Sequence, residues 1–139
     1  MANNSILSGG GFHHIAIRVA DFEASIRFYE ALGFREKIRW GEGDSRGILL
    51  DSGDGNYMEI FAGGTRESKP EGALLHVAFR TDDIDAAIEV ARAAGAEVTV
   101  EPKDLIICPD PRTPVRIAFF KGPDGELIEL FQSTGENPL

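Results

Sequence analysis

From Phe12 to Val19 apolar and polar side chains alternate. Ile15, Ile17 and Val19 point one way and His14, Ala16 and Arg18 the other, the period of a strand with one covered face. Asp21 is a good N-cap, and Phe22, Ile26, Tyr29 and Leu32 then recur at helical spacing. Gly33 can end that helix in a left-handed cap. Phe34 to Trp40 and Gly47 to Asp51 predict two strands around a Gly/Asp-rich turn. Ser52-Gly53-Asp54-Gly55 is a hairpin signal, and Tyr57 to Phe61 predicts the next strand. The order is strand, helix, then three strands.

The pattern then returns. His76-Val77-Ala78-Phe79-Arg80 repeats the histidine that opens a strand and the arginine four positions on. Asp83 takes the place of Asp21, and Gly95 that of Gly33. Ile84, Ala87, Ile88 and Ala91 form the apolar face of a second helix. A strand is predicted near Glu97 to Glu101. The halves diverge there, because Pro102 to Pro114 reads as a loop longer than its counterpart. Val115 to Lys121, the Asp124-Gly125 turn and Leu127 to Phe131 complete the second copy. Such a repeat fixes the architecture to expect: an α+β fold of two paired βαβββ modules. The boundaries are a flexible polar arm at 1–11, module 1 at 12–62, a Gly- and Pro-bearing linker at 63–72, module 2 at 73–132 and a loose tail at 133–139.

Composition narrows the function. The 139 residues are 42% hydrophobic, enough for a packed domain. A formal charge of −9 argues against nucleic acid and anionic membrane surfaces as partners. No apolar run approaches membrane-spanning length, and the first residues lack the form of a signal peptide. The single cysteine, Cys108, allows no internal disulfide and fits a cytoplasmic setting. Its apolar neighbours Ile106 and Ile107 favour a small filler over a nucleophile.

Four polar residues fall at matched places in the repeat. His14 matches His76 at the start of each first strand, and Glu59 matches Glu129 inside each last strand. Their bulky neighbours, among them Met58, Ile60, Ile128 and Leu130, face the opposite side of the sheet. The polar face also carries Tyr57, Phe61, Leu127 and Phe131, so the carboxylates and imidazoles sit in an apolar-walled, substrate-binding concavity. Buried carboxylates need a partner, and one divalent cation bound by His14, Glu59, His76 and Glu129 would supply it. Taken singly, each of the four is more often a capped or solvated residue than a ligand. The matched pairing is what selects the metal reading. Two imidazoles and two carboxylates suit Zn, Ni, Co, Mn or Fe without separating them. His13 has Leu75 opposite it in the repeat and the helix-facing parity, so it reads as structural. Arg18 and Arg80 share the ligand face, either capturing a substrate carboxylate or forming ordinary salt bridges.

These residues resemble the vicinal oxygen chelate superfamily of glyoxalase I, methylmalonyl-CoA epimerase, extradiol dioxygenases, and fosfomycin and bleomycin resistance proteins. The resemblance spans residues 12–131. It rests on His14-Ile15-x-x-x-Val19-x-Asp21, on Ser25-Ile26-x-Phe28-Tyr29-x-x-x-Gly33-Phe34, and on Gly122-Pro123-Asp124-Gly125-x-x-Ile128-Glu129-Leu130. It implies curved mixed sheets around a metal. The four-member ligand set is most similar to that of glyoxalase I, where the arginine matching Arg18 contacts the glutathione carboxylate. One position departs: glyoxalase I typically has asparagine four residues after the first glutamate, and Gly63 stands there.

The resemblance implies proton abstraction beside a carbonyl, with a metal stabilising the enediolate of an α-hydroxycarbonyl such as a hemithioacetal. It implies Glu129 as the base and Glu59 as its symmetric partner. An acyl-thioester epimerase of the methylmalonyl-CoA type is the nearest alternative. An extradiol dioxygenase or a non-catalytic small-molecule-binding or resistance protein is further away. A module whose sheet is apolar on both faces must pair with a second module, within one chain or across two, and a homodimer is expected. The resemblance favours metal sites shared between its chains.

Overall fold

The computed structural model describes residues 4–8, 12–67, 69–70, 72, 74–136 and 139. The chain forms two compact units, Met1–Thr65 and Arg66–Leu139, whose boundary falls inside the segment read as a linker. Each unit carries one four-stranded mixed sheet and one helix. Part of the arm, residues 1–3 and 9–11, lies outside the described residues, as do Ser68 and Glu71 of the linker, Ala73, and 137–138 of the tail. Within the arm, Asn4–Ser8 makes a turn closed by Ser8 N–H on the Ser5 carbonyl at 3.2 Å.

In the first unit β1 (His14–Arg18) runs into α1 (Phe22–Ala31). The Asp21 carboxylate accepts from the Ala24 N–H at 3.0 Å, a cap that contributes about 1 kcal/mol. Gly33 at φ +94° ends the helix. The helix buries Phe22, Ile26, Phe28 and Tyr29 near Ile48, Leu50, Met58 and Ile60 of the core. Each such side chain contributes about 1.5–3 kcal/mol by leaving water. β2 (Arg35–Trp40), β3 (Gly47–Asp51) and β4 (Tyr57–Phe61) follow, with a 3₁₀ turn at Gly43–Ser45. The sheet order is β1-β4-β3-β2, and only β1 and β4 are parallel. β2 is an exposed edge, broken by a bulge between Glu36 and Ile38 and lined with charge, which blunts edge pairing.

The second unit repeats this order: β5 (Val77–Arg80), α2 (Ile84–Ala93), β6 (Glu97–Pro109), β7 (Arg112–Lys121) and β8 (Leu127–Ser133). Its sheet order is β5-β8-β7-β6. Asp83 caps α2 through Ala86 N–H at 3.1 Å, and Gly95 ends it at φ +96°. Ile84, Ile88 and Ala91 are buried with Val115, Phe120, Ile128 and Leu130.

Two expectations change. Residues 102–114 are not a loop, because β6 runs through Pro102 to Pro109 and turns at Asp110-Pro111, a cis peptide, into β7. Pro102 is tolerated because it falls in the irregular step between the pairs Val100–Phe119 and Lys103–Ile117 of an edge strand. The last strand also extends to Ser133, into the segment read as tail. Among the described residues no helix is long and apolar enough to cross a membrane.

Candidate functional site

The parallel pairing of the first and last strand in each unit decides where the polar residues meet. In the first unit Ala16 lies opposite Glu59; in the second, Ala78 lies opposite Glu129. An alanine at both places leaves room for the carboxylate to turn along the sheet towards the histidine. His14 Nε2 stands 3.1 Å from Glu59 Oε2, and His76 Nε2 stands 2.9 Å from Glu129 Oε2. Buried Met58, Ile60, Ile128 and Leu130 alternate with the half-buried glutamates, as the period of two requires.

The four side chains fit a divalent ion by chemistry and access. Imidazole and carboxylate are ordinary donors for borderline ions. The histidines are 40% and 36% exposed and the glutamates 18% and 12%, so both pairs are reachable yet largely dry at the carboxylate. Among the described residues no group of three or more His, Cys, Asp or Glu side chains is gathered as a metal set; each unit supplies a pair.

His13 needs a correction. It is exposed, its Nδ1 lies 2.8 Å from His14 Nδ1, and its ring sits 5.2 Å from Tyr57. It precedes β1, so strand parity does not govern it. One of the two facing nitrogens carries the proton of that bond, which leaves His14 Nε2 directed at Glu59. A ligand histidine is commonly held this way through its other nitrogen. The doublet His13-His14 was the available signal. His76 has Leu75 before it and instead meets the Phe119 ring edge-on at 5.4 Å.

Arg18 donates from Nη1 to the Ala62 carbonyl at 2.7 Å and lies 5.5 Å over the Phe61 ring. Arg80 is exposed at the end of β5, in register with Phe131. Among the described residues neither arginine pairs with an acidic side chain, so the salt-bridge alternative is not realised there. Cys108 is half-buried near the hairpin tip, its Sγ 3.4 Å from the Asp110 carbonyl, in keeping with a filler. Trp40 and Gly47, which sequence reasoning left out of the site, lie on this face as well: Trp40 rests 6.1 Å from Phe61. Only the strand register brings them there.

Two βαβββ units, each with a histidine–glutamate pair on its open sheet face, define a protein of the glyoxalase-like class. The chain belongs to the Glyoxalase/Bleomycin resistance protein/Dioxygenase superfamily, whose family model matches residues 11–130. It is 32% identical over 134 residues to a probable lactoylglutathione lyase of Vibrio parahaemolyticus, covering 91% of this chain and 94% of that one. It is 38% identical over 128 residues to the YaeR protein of Escherichia coli, covering 86% and 94%. Among solved structures, the glyoxalase family protein from Enterococcus faecalis superposes with a TM-score of 0.69 at 27% identity, over 87% of this chain and 96% of that one.

Proposed function

We propose that this chain is a divalent-metal-dependent lyase or isomerase of the glyoxalase I type, moving a proton between the carbons of a hemithioacetal or related α-hydroxycarbonyl. The observation that carries this reading is the repeated pair, His14 with Glu59 at 3.1 Å and His76 with Glu129 at 2.9 Å. The relatives named probable lactoylglutathione lyase support it. His14, Glu59, His76 and Glu129 would hold the ion, two pairs drawn from one chain or from two copies in a homodimer. A bound divalent ion supplies Lewis acidity to the substrate oxygens.

The remaining work falls to the chain's own groups. Glu129, 12% exposed between Ala78 and Phe119, is the base that takes the proton and returns it to the neighbouring carbon. Glu59 is its partner on the other side. Arg18 and Arg80 offer guanidinium donors to a substrate carboxylate, and Tyr57 and Phe61 wall the site and thin out water. The setting is cytoplasmic, consistent with the single free cysteine.

The test has two parts. Purified protein is expected to carry about one divalent ion per site and to lose it in His76→Ala. Glu129→Gln is expected to lose hemithioacetal turnover by orders of magnitude while keeping most substrate affinity. Equal metal in both proteins, or wild-type rates in Glu129→Gln, would sink the reading. Gly63, standing where glyoxalase I typically has asparagine, motivates a second outcome. Solvent deuterium exchange into an acyl thioester, without hemithioacetal turnover, moves the assignment to the epimerase.

A further inference from the structure

The hairpin of β6 and β7 runs on past the rest of its sheet. β8 ends at Ser133, opposite Val115, so over residues 106–114 the second sheet is only two strands wide. Two strands alone are marginal in water. The first unit has no such arm, because β2 and β3 are joined by the short turn at Gly43–Ser45. β6 is also the edge of its sheet, and among the described residues no strand pairs with its outer side. Native edges are commonly guarded by charge. β2, the matching edge of the first sheet, carries Arg35, Glu36, Lys37 and Arg39. Residues 105–108 of β6 carry no charge, and Ile106 and Ile107 are 44% and 48% exposed. The step in register between Ile106 and Cys108 leaves Ile107 without a partner on β7. Such bulges hinder strand addition along a whole edge, so what this edge offers is a short contact of side chains at its tip.

Charge says what can cover it. The chain carries −9, yet residues 103–116 hold Lys103, Arg112 and Arg116 against only Asp104 and Asp110. Two copies can approach here with little mutual repulsion. The order of residues is also self-complementary. Two tips laid antiparallel about a two-fold axis between Ile106 and Ile107 set isoleucine on isoleucine and Leu105 on Cys108. The same register sets Lys103 against Asp110 of the partner subunit. An axis on Ile107 would set Asp104 against Asp110, and an axis on Ile106 would set Lys103 against Pro109. Among the described residues neither Lys103 nor Asp110 has an ion-pair partner within its own chain.

We propose that residues 105–108, at the tip of β6, form an interface through which two copies of this chain associate antiparallel about that axis. The contact needs neither metal nor substrate, so it is tested separately from the function proposed above.

Sedimentation velocity of the full-length protein over a series of concentrations reads the association. The expected result is self-association that Ile107→Asp weakens by about tenfold or more, since an unpaired charge would be buried. Ile107 is exposed, so circular dichroism of the variant should match wild type. Lys103→Asp should weaken association several-fold, and adding Asp110→Lys should restore it. Oxidation reads the register, because Cys108 is the single cysteine. Leu105→Cys should set a thiol against Cys108 of the partner subunit and yield a disulfide-linked dimer, and Thr99→Cys should not. Within one chain, positions 105 and 108 lie three strand steps apart, about 10 Å, too far to bridge. A monomer at every concentration, association unchanged in Ile107→Asp, or no linked dimer from Leu105→Cys would overturn the interface. Absence of metal or of turnover would overturn only the function proposed above.

Discussion

The two sheets carry the same polar pair at the same register and differ in what surrounds it. In the first unit His13 holds the second nitrogen of His14, and Glu59 lies between Ala16 and Leu49. In the second the Phe119 ring abuts His76, and Glu129 lies between Ala78 and Phe119. One pair is braced by a polar neighbour and the other by an apolar one. The drier carboxylate is the second, at 12% exposure against 18%. The repeat keeps the histidine–glutamate pair and its register and varies what packs around it.

The largest effect expected is all-or-none. If metal sites are shared between two chains, inactive His14→Ala and His76→Ala proteins regain activity when refolded together. One site of the mixed dimer then collects both lesions and the other collects none. If each site draws on one chain, every site keeps a lesion and no activity returns. Hydrodynamic measurement showing only monomer would remove the shared arrangement before the mixing is tried.

Much of this frame was readable from residues. Capping aspartates at 21 and 83 and left-handed glycines at 33 and 95 act locally, so their positions in the sequence sufficed. That His14 shares a sheet face with Glu59, and His76 with Glu129, was readable because the period of two and the repeat agree. What the sequence concealed depends on cross-strand register. Gly47 reads as an ordinary strand opening until it is seen beneath Trp40. Pro102 reads as a loop until the bulge that accommodates it is located. His13 was assigned by strand parity, although it lies before the strand begins.

A smaller effect tests the bracing directly. His13→Leu gives the first unit the residue that precedes His76 in the second. Loss of an outer-shell partner commonly weakens metal binding by about tenfold or more. Competition with a chelator should show that weakening, and His13→Gln, which can still hydrogen-bond, should recover part of it. Unchanged affinity in His13→Leu would mean that the contact at 2.8 Å orients nothing.

The smallest effect concerns the two hairpin turns, which solve one problem with different acids. In the second unit Glu126 accepts from the Asp124 N–H at 2.8 Å. In the first, Asp54 accepts from the Ser52 hydroxyl at 2.6 Å and from the Asn56 N–H at 3.0 Å. The Ser52 hydroxyl first, then the Asn56 backbone, holds the Asp54 carboxyl below the usual carboxylate range. A depressed folded value means that the unfolded chain takes up protons first as pH falls. The stabilisation is therefore complete above the unfolded value, about 3.9, and is lost as pH falls through the folded one. The group is exposed, so the contribution is well below about 1 kcal/mol. Ser52→Ala should lower stability at neutral pH by a small amount, and the gap to wild type should narrow as pH drops below about 4. It should not close, because the one hydroxyl proton also reaches the Asn56 carbonyl at 3.0 Å and can stay with it once Asp54 is protonated. Urea unfolding at several pH values measures both parts, and a gap constant from neutral to acid pH would assign the whole effect to that second bond.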